Sequence, residues 1–466
     1  MHEPCHYYLL PIGGTATAAL AGLLHQAGDR VSGVDSVLYP PTSELLAELG
    51  IPVRVGFDPS AIPGDVDQVV IGNALPRTNV EIAAVLARGM PYVSQAQAFG
   101  ERFCRPARTV VVAGTHGKTT TTALAAHIFT AGGLDPTALI GGVPIGGKPW
   151  RLGRGGFTVV EGDEYNTAFF DKGPKFLHYH PWIFVVGNVE FDHGDIYPDL
   201  DAIVAAFRAG TAQVGPTGFV VANRSDAGAR TVASGHPRTV WYGLTKSDEL
   251  SCTRWGHADG RLRASLHWEG RDFEISIPLV GRHNLDNLMA ATACALLAGL
   301  QPHAIAEAAM SFAGVRRRLE VVGEADGVTV VDDFAHHPTA VALTLDGARQ
   351  RFPGRRLVVA FEPRSLTAGR NMFAAAYVEA LGHADVALIA PVFHRARLGP
   401  EGALDREAVV AALRRSGVEA AALSEGGDLT AEVASFLEPG DVVVCMSSGD
   451  FGGLPRRLCR ALEGAP

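Results

Sequence analysis

The chain has 466 residues, 47% of them hydrophobic and 19% charged, with a net charge of -9. That length suggests roughly three domains, each apolar enough to exclude extended disorder. The acidic balance, with no concentrated Lys/Arg run, argues against a nucleic-acid surface, so no nucleic-acid partner is expected. Cys5, Cys104, Cys252, Cys294, Cys445 and Cys459 are scattered without a C-x-x-C pair, which fits reduced thiols in a cytoplasmic protein. The first ten residues lack a signal-peptide pattern. The longest apolar run, near residues 288–300, is too short to span a bilayer and has helical periodicity, so no membrane insertion is expected.

Residues 7–12 form an apolar strand that meets Gly13-Gly14-Thr15 and an Ala/Leu-rich helix running to Gln26. A second strand, 30–34, ends at Asp35. An acidic residue about twenty positions past a glycine turn suits a dinucleotide-binding βαβ unit. Pro11 and Ala16 interrupt the full glycine pattern, and a closely packed βα turn that binds nothing reads equally well. Residues 38–43 form a turn that caps a helix over 44–49. Strands at 53–55, 68–71 and 92–94 and a helix at 79–88 complete an α/β domain over 1–107.

The central domain, 108–316, opens with the β-branched strand Val110-Val111-Val112, the loop Gly114-Thr115-His116-Gly117-Lys118-Thr119-Thr120, and a helix running to about Ala131. An ordinary strand–turn–helix corner is the plain alternative. The order strand, Gly-Lys-Thr, helix favours a phosphate loop, in which backbone N–H groups and a helix N-terminus cradle anionic oxygens. Lys118 then reaches the β/γ-phosphates and the Thr119 hydroxyl faces Mg²⁺. The usual G-x-x-x-x-G-K-[ST] spacing needs Gly at position 112, which is valine, so the loop is a shortened form.

A turn-rich segment covers 140–156. The strand 158–160 leads into Glu161-Gly162-Asp163-Glu164, and the strand 182–186 into Gly187-Asn188-Val189-Glu190-Phe191-Asp192-His193-Gly194-Asp195. Carboxylates at the C-terminal ends of parallel strands are where such sheets place Mg²⁺ ligands; a solvated acidic loop is the alternative. A helix at 201–209, strands at 218–223 and 239–242 and an antiparallel insertion over 250–277 follow. His283, Asn284 and Asn287 open the long apolar helix, either as caps or as ligand contacts. A helix over 303–312 leads to Arg316-Arg317-Arg318, a surface charge cluster or a phosphate-neutralising one.

The last domain, 317–466, is again doubly wound, with parallel strands at 328–331, 356–361, 386–390 and 441–445. Helices begin at 339 and cover 406–416 and 430–437. Its strand-end loops carry Asp332-Asp333-Phe334-Ala335-His336-His337-Pro338, Glu362-Pro363-Arg364-Ser365 and Ser447-Ser448-Gly449-Asp450, where ligands bind in such sheets.

Taken together, these motifs resemble the Mur ligase family of ATP-dependent amide ligases over nearly the whole chain. The shortened loop 114–120 is similar to that family's phosphate loop. Glu161, the run from Asn188 to His193, His283-Asn284 with Asn287, Arg317-Arg318 and the run from Asp333 to Pro338 follow in the family's order. The resemblance implies an N-terminal Rossmann-like domain, a central P-loop ATPase-type domain with an antiparallel insertion, and a C-terminal Rossmann-like domain. ATP and Mg²⁺ are implied as cofactors, and UDP-N-acetylmuramate and a murein peptide as substrates.

By the same resemblance, Lys118, Glu161, His193, Arg318 and His337 serve catalysis, and Thr119, Glu161 and His193 hold metal. The loop 114–120, His283, Asn284, Asn287 and Asp333 bind the nucleotide. Gly13, Gly14, Thr15, Asp35, Arg364 and Ser365 bind the other substrates. His336-His337-Pro338 and the Gly-Gly-Thr start are similar to the muramate branch, and the absence of Lys between Lys175 and Lys246 agrees with it. The segment from Glu164 to Lys172, continuing to His178-Tyr179, resembles members that take the tripeptide L-alanyl-γ-D-glutamyl-meso-diaminopimelate. L-alanine is the alternative amine. The resemblance leaves the oligomeric state open.

Overall fold

A computed structural model describes residues 4–39 and 42–464. Pro40 and Pro41, in the Tyr39-Pro40-Pro41 turn, lie outside the described residues. Among the described residues the strands gather into three large sheets and one two-stranded hairpin.

The first sheet is all parallel. Its strands lie in the spatial order Val53–Val55, Arg30–Asp35, His6–Leu10, Gln68–Ile71, Tyr92–Ser94. His6–Leu10 is buried along its whole length, as a strand covered on both faces must be, which explains the apolar run that follows His6. The strand order reverses on either side of it, so Gly13, Gly14 and the start of the helix Thr15–Gln26 sit at a topological switch point.

The second sheet has ten strands. At its centre Arg108–Ala113 lies between Phe157–Gly162 and Pro181–Val186, all parallel. The helices Lys118–Ala131 and Arg282–Leu297 pack on one face of this sheet through an apolar cluster. Two expectations change here. Residues 140–156 are not all turn: Trp150–Arg151 pairs antiparallel with Thr137–Leu139 and extends one edge. The three strands Leu250–Ala258, Arg261–Trp268 and Arg271–Ile277 are antiparallel as expected. They continue the same sheet, however, because Tyr242 and Gly243 pair with Leu250 and Ser251.

The third sheet runs in the order Glu320–Ala325, Val328–Asp333, Val442–Met446, Leu357–Phe361, Val386–Ile389, Glu419–Ala422. All but the first strand are parallel. The two edge strands escape a periodicity reading. Glu320–Ala325 is polar and interrupted by glycine, and Glu419–Ala422 reads Glu-Ala-Ala-Ala, a helix-favouring run that becomes a strand by pairing with Val386–Ile389.

The sheets are welded together at two seams. Between the first and second, one apolar cluster runs continuously from Leu9 and Ile12 through Trp150 to Val111 and Phe184. Trp150 packs against Gly22, where any Cβ would strike the indole ring, and its Nε1 donates to Gln26 Oε1 at 3.3 Å. The hairpin Asn166–Ala168/Asp171–Pro174 carries Phe169 and Phe170 at its tip. They pack on the first sheet's far cluster, with Phe170 edge-on to Tyr92 at 5.0 Å. The seam between the second and third sheets is mainly polar, apart from Val280, which joins the third sheet's apolar cluster. Arg370 Nη2 donates to Gly194 O at 3.0 Å, Thr339 Oγ1 to Glu190 Oε2 at 2.8 Å, and Gly281 N to Gln350 Oε1 at 3.0 Å. A cavity of about 1480 Å³ opens along this seam and reaches Thr15 of the first unit.

Candidate active site

The loop from Gly114 to Lys118 lines this cavity almost throughout. Gly117 is the N-cap of the helix Lys118–Ala131 at φ 79°, a left-handed conformation that glycine takes without strain. A Cβ there would also run into Asn287 Oδ1. The Asn188 side chain braces the loop from the neighbouring strand end: its Oδ1 accepts from His116 N at 2.7 Å and its Nδ2 donates to His116 O at 3.1 Å. Thr115 N donates to Asn188 O at 2.9 Å, and Glu190 N to Thr115 Oγ1 at 2.9 Å. These bonds hold the loop open around a space that can take an anion.

Lys118 Nζ bends over its own loop, donating to Gly114 O at 2.7 Å and Thr115 O at 3.2 Å, and pairs with Glu164 at 2.9 Å. Burial works against its charge, but the carboxylates of Glu164, Asp163 and Glu161 outweigh burial and hold its pKa above the ordinary lysine value. Glu161 stands at the end of its strand, accepting from Thr119 Oγ1 at 3.2 Å and from Gly141 N at 2.9 Å. Burial pushes its carboxyl up despite Lys118. Thr119 and Glu161 thus present hydroxyl and carboxylate oxygens side by side, a donor set that suits a hard cation such as Mg²⁺.

His193 sits at φ 52°, held there as its N–H donates to Asp192 Oδ1 at 2.6 Å. Its Nε2 is 3.2 Å from Glu164 Oε1. Burial lowers its pKa, yet Glu164 and Asp192 more than reverse that. Glu164 therefore links Lys118 to His193. It was not singled out as a site residue from the sequence, because four acidic or small residues in a row do not reveal which one turns inward. Asp163 pairs with Lys175, and against the cost of burial Lys175 and Lys118 hold its carboxyl down to about 2.

On the far side of the loop, Asn284 and Asn287 form a buried relay. Thr121 Oγ1 donates to Asn287 Oδ1 at 3.0 Å, Asn287 Nδ2 to Asn284 Oδ1 at 3.1 Å, and Asn284 Nδ2 to Val280 O at 2.6 Å. His283 lies beside them with its Nδ1 unpaired. Burial first, and Arg318 second, depress its pKa to about 4, so it is neutral.

The third sheet contributes across the seam. Arg318 Nη2 reaches Thr119 Oγ1 at 3.4 Å, with its guanidinium over the Phe334 ring. Arg317 turns the other way, to Ser447 O and Gly449 O. Asp333 spends both oxygens on backbone N–H groups, accepting from Leu319 N before the edge strand and from Ala335 N in its own loop, each at 2.7 Å. His337 faces His116 and Glu190.

Arg364 and Ser365 are not part of the cavity wall. Arg364 packs over Phe393 and pairs with Asp450 at 3.4 Å, and Ser365 Oγ accepts from Ala368 N at 2.9 Å. In the first unit only Thr15 of the four residues singled out there borders the cavity. Gly13 N donates to Asp35 Oδ2 at 2.8 Å, so the glycine turn and the acidic residue do meet.

Comparison with known proteins settles the lineage. Three Mur ligase domains match in order: the Mur ligase family catalytic domain over residues 6–105, the Mur ligase middle domain over 112–295, and the Mur ligase glutamate ligase domain over 317–449. The chain belongs to the Mur ligase family. Mur ligases are ATP-dependent and form C–N bonds.

Among its relatives is the UDP-N-acetylmuramate–L-alanyl-γ-D-glutamyl-meso-2,6-diaminoheptandioate ligase of Escherichia coli K12, 38% identical over 98% of both chains. The UDP-N-acetylmuramate–L-alanine ligase of Roseiflexus sp. RS-1 is 36% identical over 96% of both. The murein peptide ligase from Psychrobacter arcticus shares the architecture, with a TM-score of 0.75 at 31% identity and 99% coverage of each chain. Among the described residues, no helix is long and apolar enough to cross a membrane.

Proposed function

We propose that this Mur ligase joins UDP-N-acetylmuramate to the tripeptide L-alanyl-γ-D-glutamyl-meso-diaminopimelate, with ATP consumed to ADP and phosphate, in cell-wall peptide recycling in the cytoplasm. The observation that carries this reading is the full-length likeness to tripeptide ligases, joined by the solved murein peptide ligase. In this reading residues 1–107 bind the UDP sugar, 108–316 bind ATP, and 317–466 bring the peptide.

The chemistry follows from what the residues can do. A carboxylate is a poor acylating agent because its leaving group is oxide. The muramate carboxylate therefore attacks the γ-phosphorus, ADP leaves, and an acyl phosphate forms. The peptide's free amine then adds to the acyl carbon, and phosphate departs from the tetrahedral adduct. Lys118 and the loop N–H groups offset charge gathering on the transferring phosphoryl oxygens. Arg318, aimed at Thr119 from across the seam, adds a second cation there only when the third sheet is docked. Bound Mg²⁺, held by Thr119 and Glu161 with His193 nearby, would supply further neutralisation of phosphate charge.

A second reading, L-alanine as the amine, has support from relatives of nearly equal identity. An ADP-release assay separates the two. The proposal expects turnover that requires UDP-N-acetylmuramate and the tripeptide together. Equal or faster turnover with free L-alanine would establish the second reading, and hydrolysis indifferent to both amines would reject amide ligation.

A further inference from the structure

Three side chains from three separate elements converge at the seam: His116 from the phosphate loop, Glu190 from the strand-end loop beside it, and His337 from the N-cap of the helix Pro338–Arg351. One ligating atom from each lies within 4.8 Å of the other two. His116 Nε2 is 3.2 Å and His337 Nδ1 3.6 Å from the same oxygen, Glu190 Oε2. Ligands bonded tetrahedrally at 2.0–2.1 Å sit about 3.3–3.5 Å apart, and these two edges, 3.2 and 3.6 Å, lie just either side of that spacing.

His337 supplies an independent sign. The residue is buried, its side chain 9% exposed, yet neither Nδ1 nor Nε2 has a hydrogen-bond partner. A buried imidazole with both nitrogens unpaired is costly unless something else occupies them.

We propose that His116, Glu190 and His337 form a binding site for a divalent ion of the zinc class, separate from the oxygen-rich pair Thr119 and Glu161. Two imidazoles and one carboxylate favour Zn²⁺ or Co²⁺ over Mg²⁺, which demands oxygen ligands and six-coordination. Thr339 Oγ1, 2.8 Å from Glu190 Oε2, orients that carboxylate from outside the ligand set. Three protein ligands leave a fourth position toward the cavity, open to water or a substrate oxygen. Because His337 alone comes from the third sheet, the ion would fasten the third sheet to the phosphate loop.

The test is Co²⁺ and Zn²⁺ titration of the full chain without nucleotide, in excess Mg²⁺. Stoichiometric Co²⁺ binding with the intense d–d absorption of a tetrahedral ion, and displacement by Zn²⁺, is expected. Both His337→Asn and Glu190→Gln, checked as folded by circular dichroism, should lose the band. A band that survives in either variant, a thiolate-to-metal charge-transfer band, or binding abolished by Mg²⁺ alone would each overturn the assignment. None of these outcomes bears on which amine the ligase uses.

Discussion

Lys118 does two jobs at once. Its ammonium faces the space for phosphate, and it is also the buried counter-ion of Glu164. Its position in the loop suggests that Lys118→Ala loses activity with the fold intact. The ion pair changes the second half of that expectation, since removing one partner strands a buried carboxylate. We expect product formation to fall about 100- to 1,000-fold or more and stability to drop by about 3 kcal/mol, read by ADP release and urea denaturation. Pairing Lys118→Met with Glu164→Gln should restore much of the stability and none of the activity.

His337 makes a distinct prediction about pH. Its folded pKa is near 4 and its ordinary value 6.5, so below pH 6.5 the unfolded chain takes up a proton that the folded chain refuses. Stability should therefore fall as pH drops from about 6.5 to 4. Glu190, held near 2, contributes stability that is present above the ordinary carboxylate range and is lost only as pH falls from about 4.5 to 2. Melting temperature against pH should show both limbs, and His337→Asn should reduce the upper one, which His283, also depressed to about 4, continues to sustain in part.

At the scale of elements, the phosphate loop is shaped by neighbours that its own sequence does not name. The sequence makes the strand, the Gly-Lys-Thr turn and the helix legible, because β-branched residues, a left-handed glycine and a run of threonines are local signals. The Asn188 brace and the Asn287 stop against Gly117 are contacts over long sequence separations. Gly117→Ala should cost about 1–3 kcal/mol through its positive φ and clash and abolish nucleotide-dependent turnover. Asn188→Ala should loosen the loop and raise KM for ATP with a smaller loss of kcat, as steady-state kinetics would show. The edge strands Glu320–Ala325 and Glu419–Ala422 were illegible for the same reason, since pairing with a partner strand decides them and their own composition does not.

At the scale of the molecule, the segment from Glu164 to Tyr179, whose resemblance implies a peptide preference, also acts as a strut. Its hairpin tip, Phe169 and Phe170, docks on the first sheet, and Tyr179 stacks edge-on to Phe99 at 5.8 Å. Only its C-terminal end lines the cavity, through Lys175 and Tyr179. Phe170→Ala should cost about 1–2 kcal/mol, less than a fully buried phenylalanine, and should separate the unfolding of the first sheet from that of the second in a denaturant melt. The third sheet meets the second mainly through polar contacts and a cavity, with Val280 reaching into the third sheet's apolar cluster.

By itself the sequence determined the reaction class and the α/β order of elements, because strand-end loops and a shortened phosphate loop are written in consecutive residues. The tertiary structure alone decided which of those loops face one another. Glu164 between Lys118 and His193, Arg318 over Thr119, and Glu190 between His116 and His337 are meetings of residues dozens to hundreds of positions apart. No local periodicity encodes such meetings, because they follow from how whole sheets pack and dock.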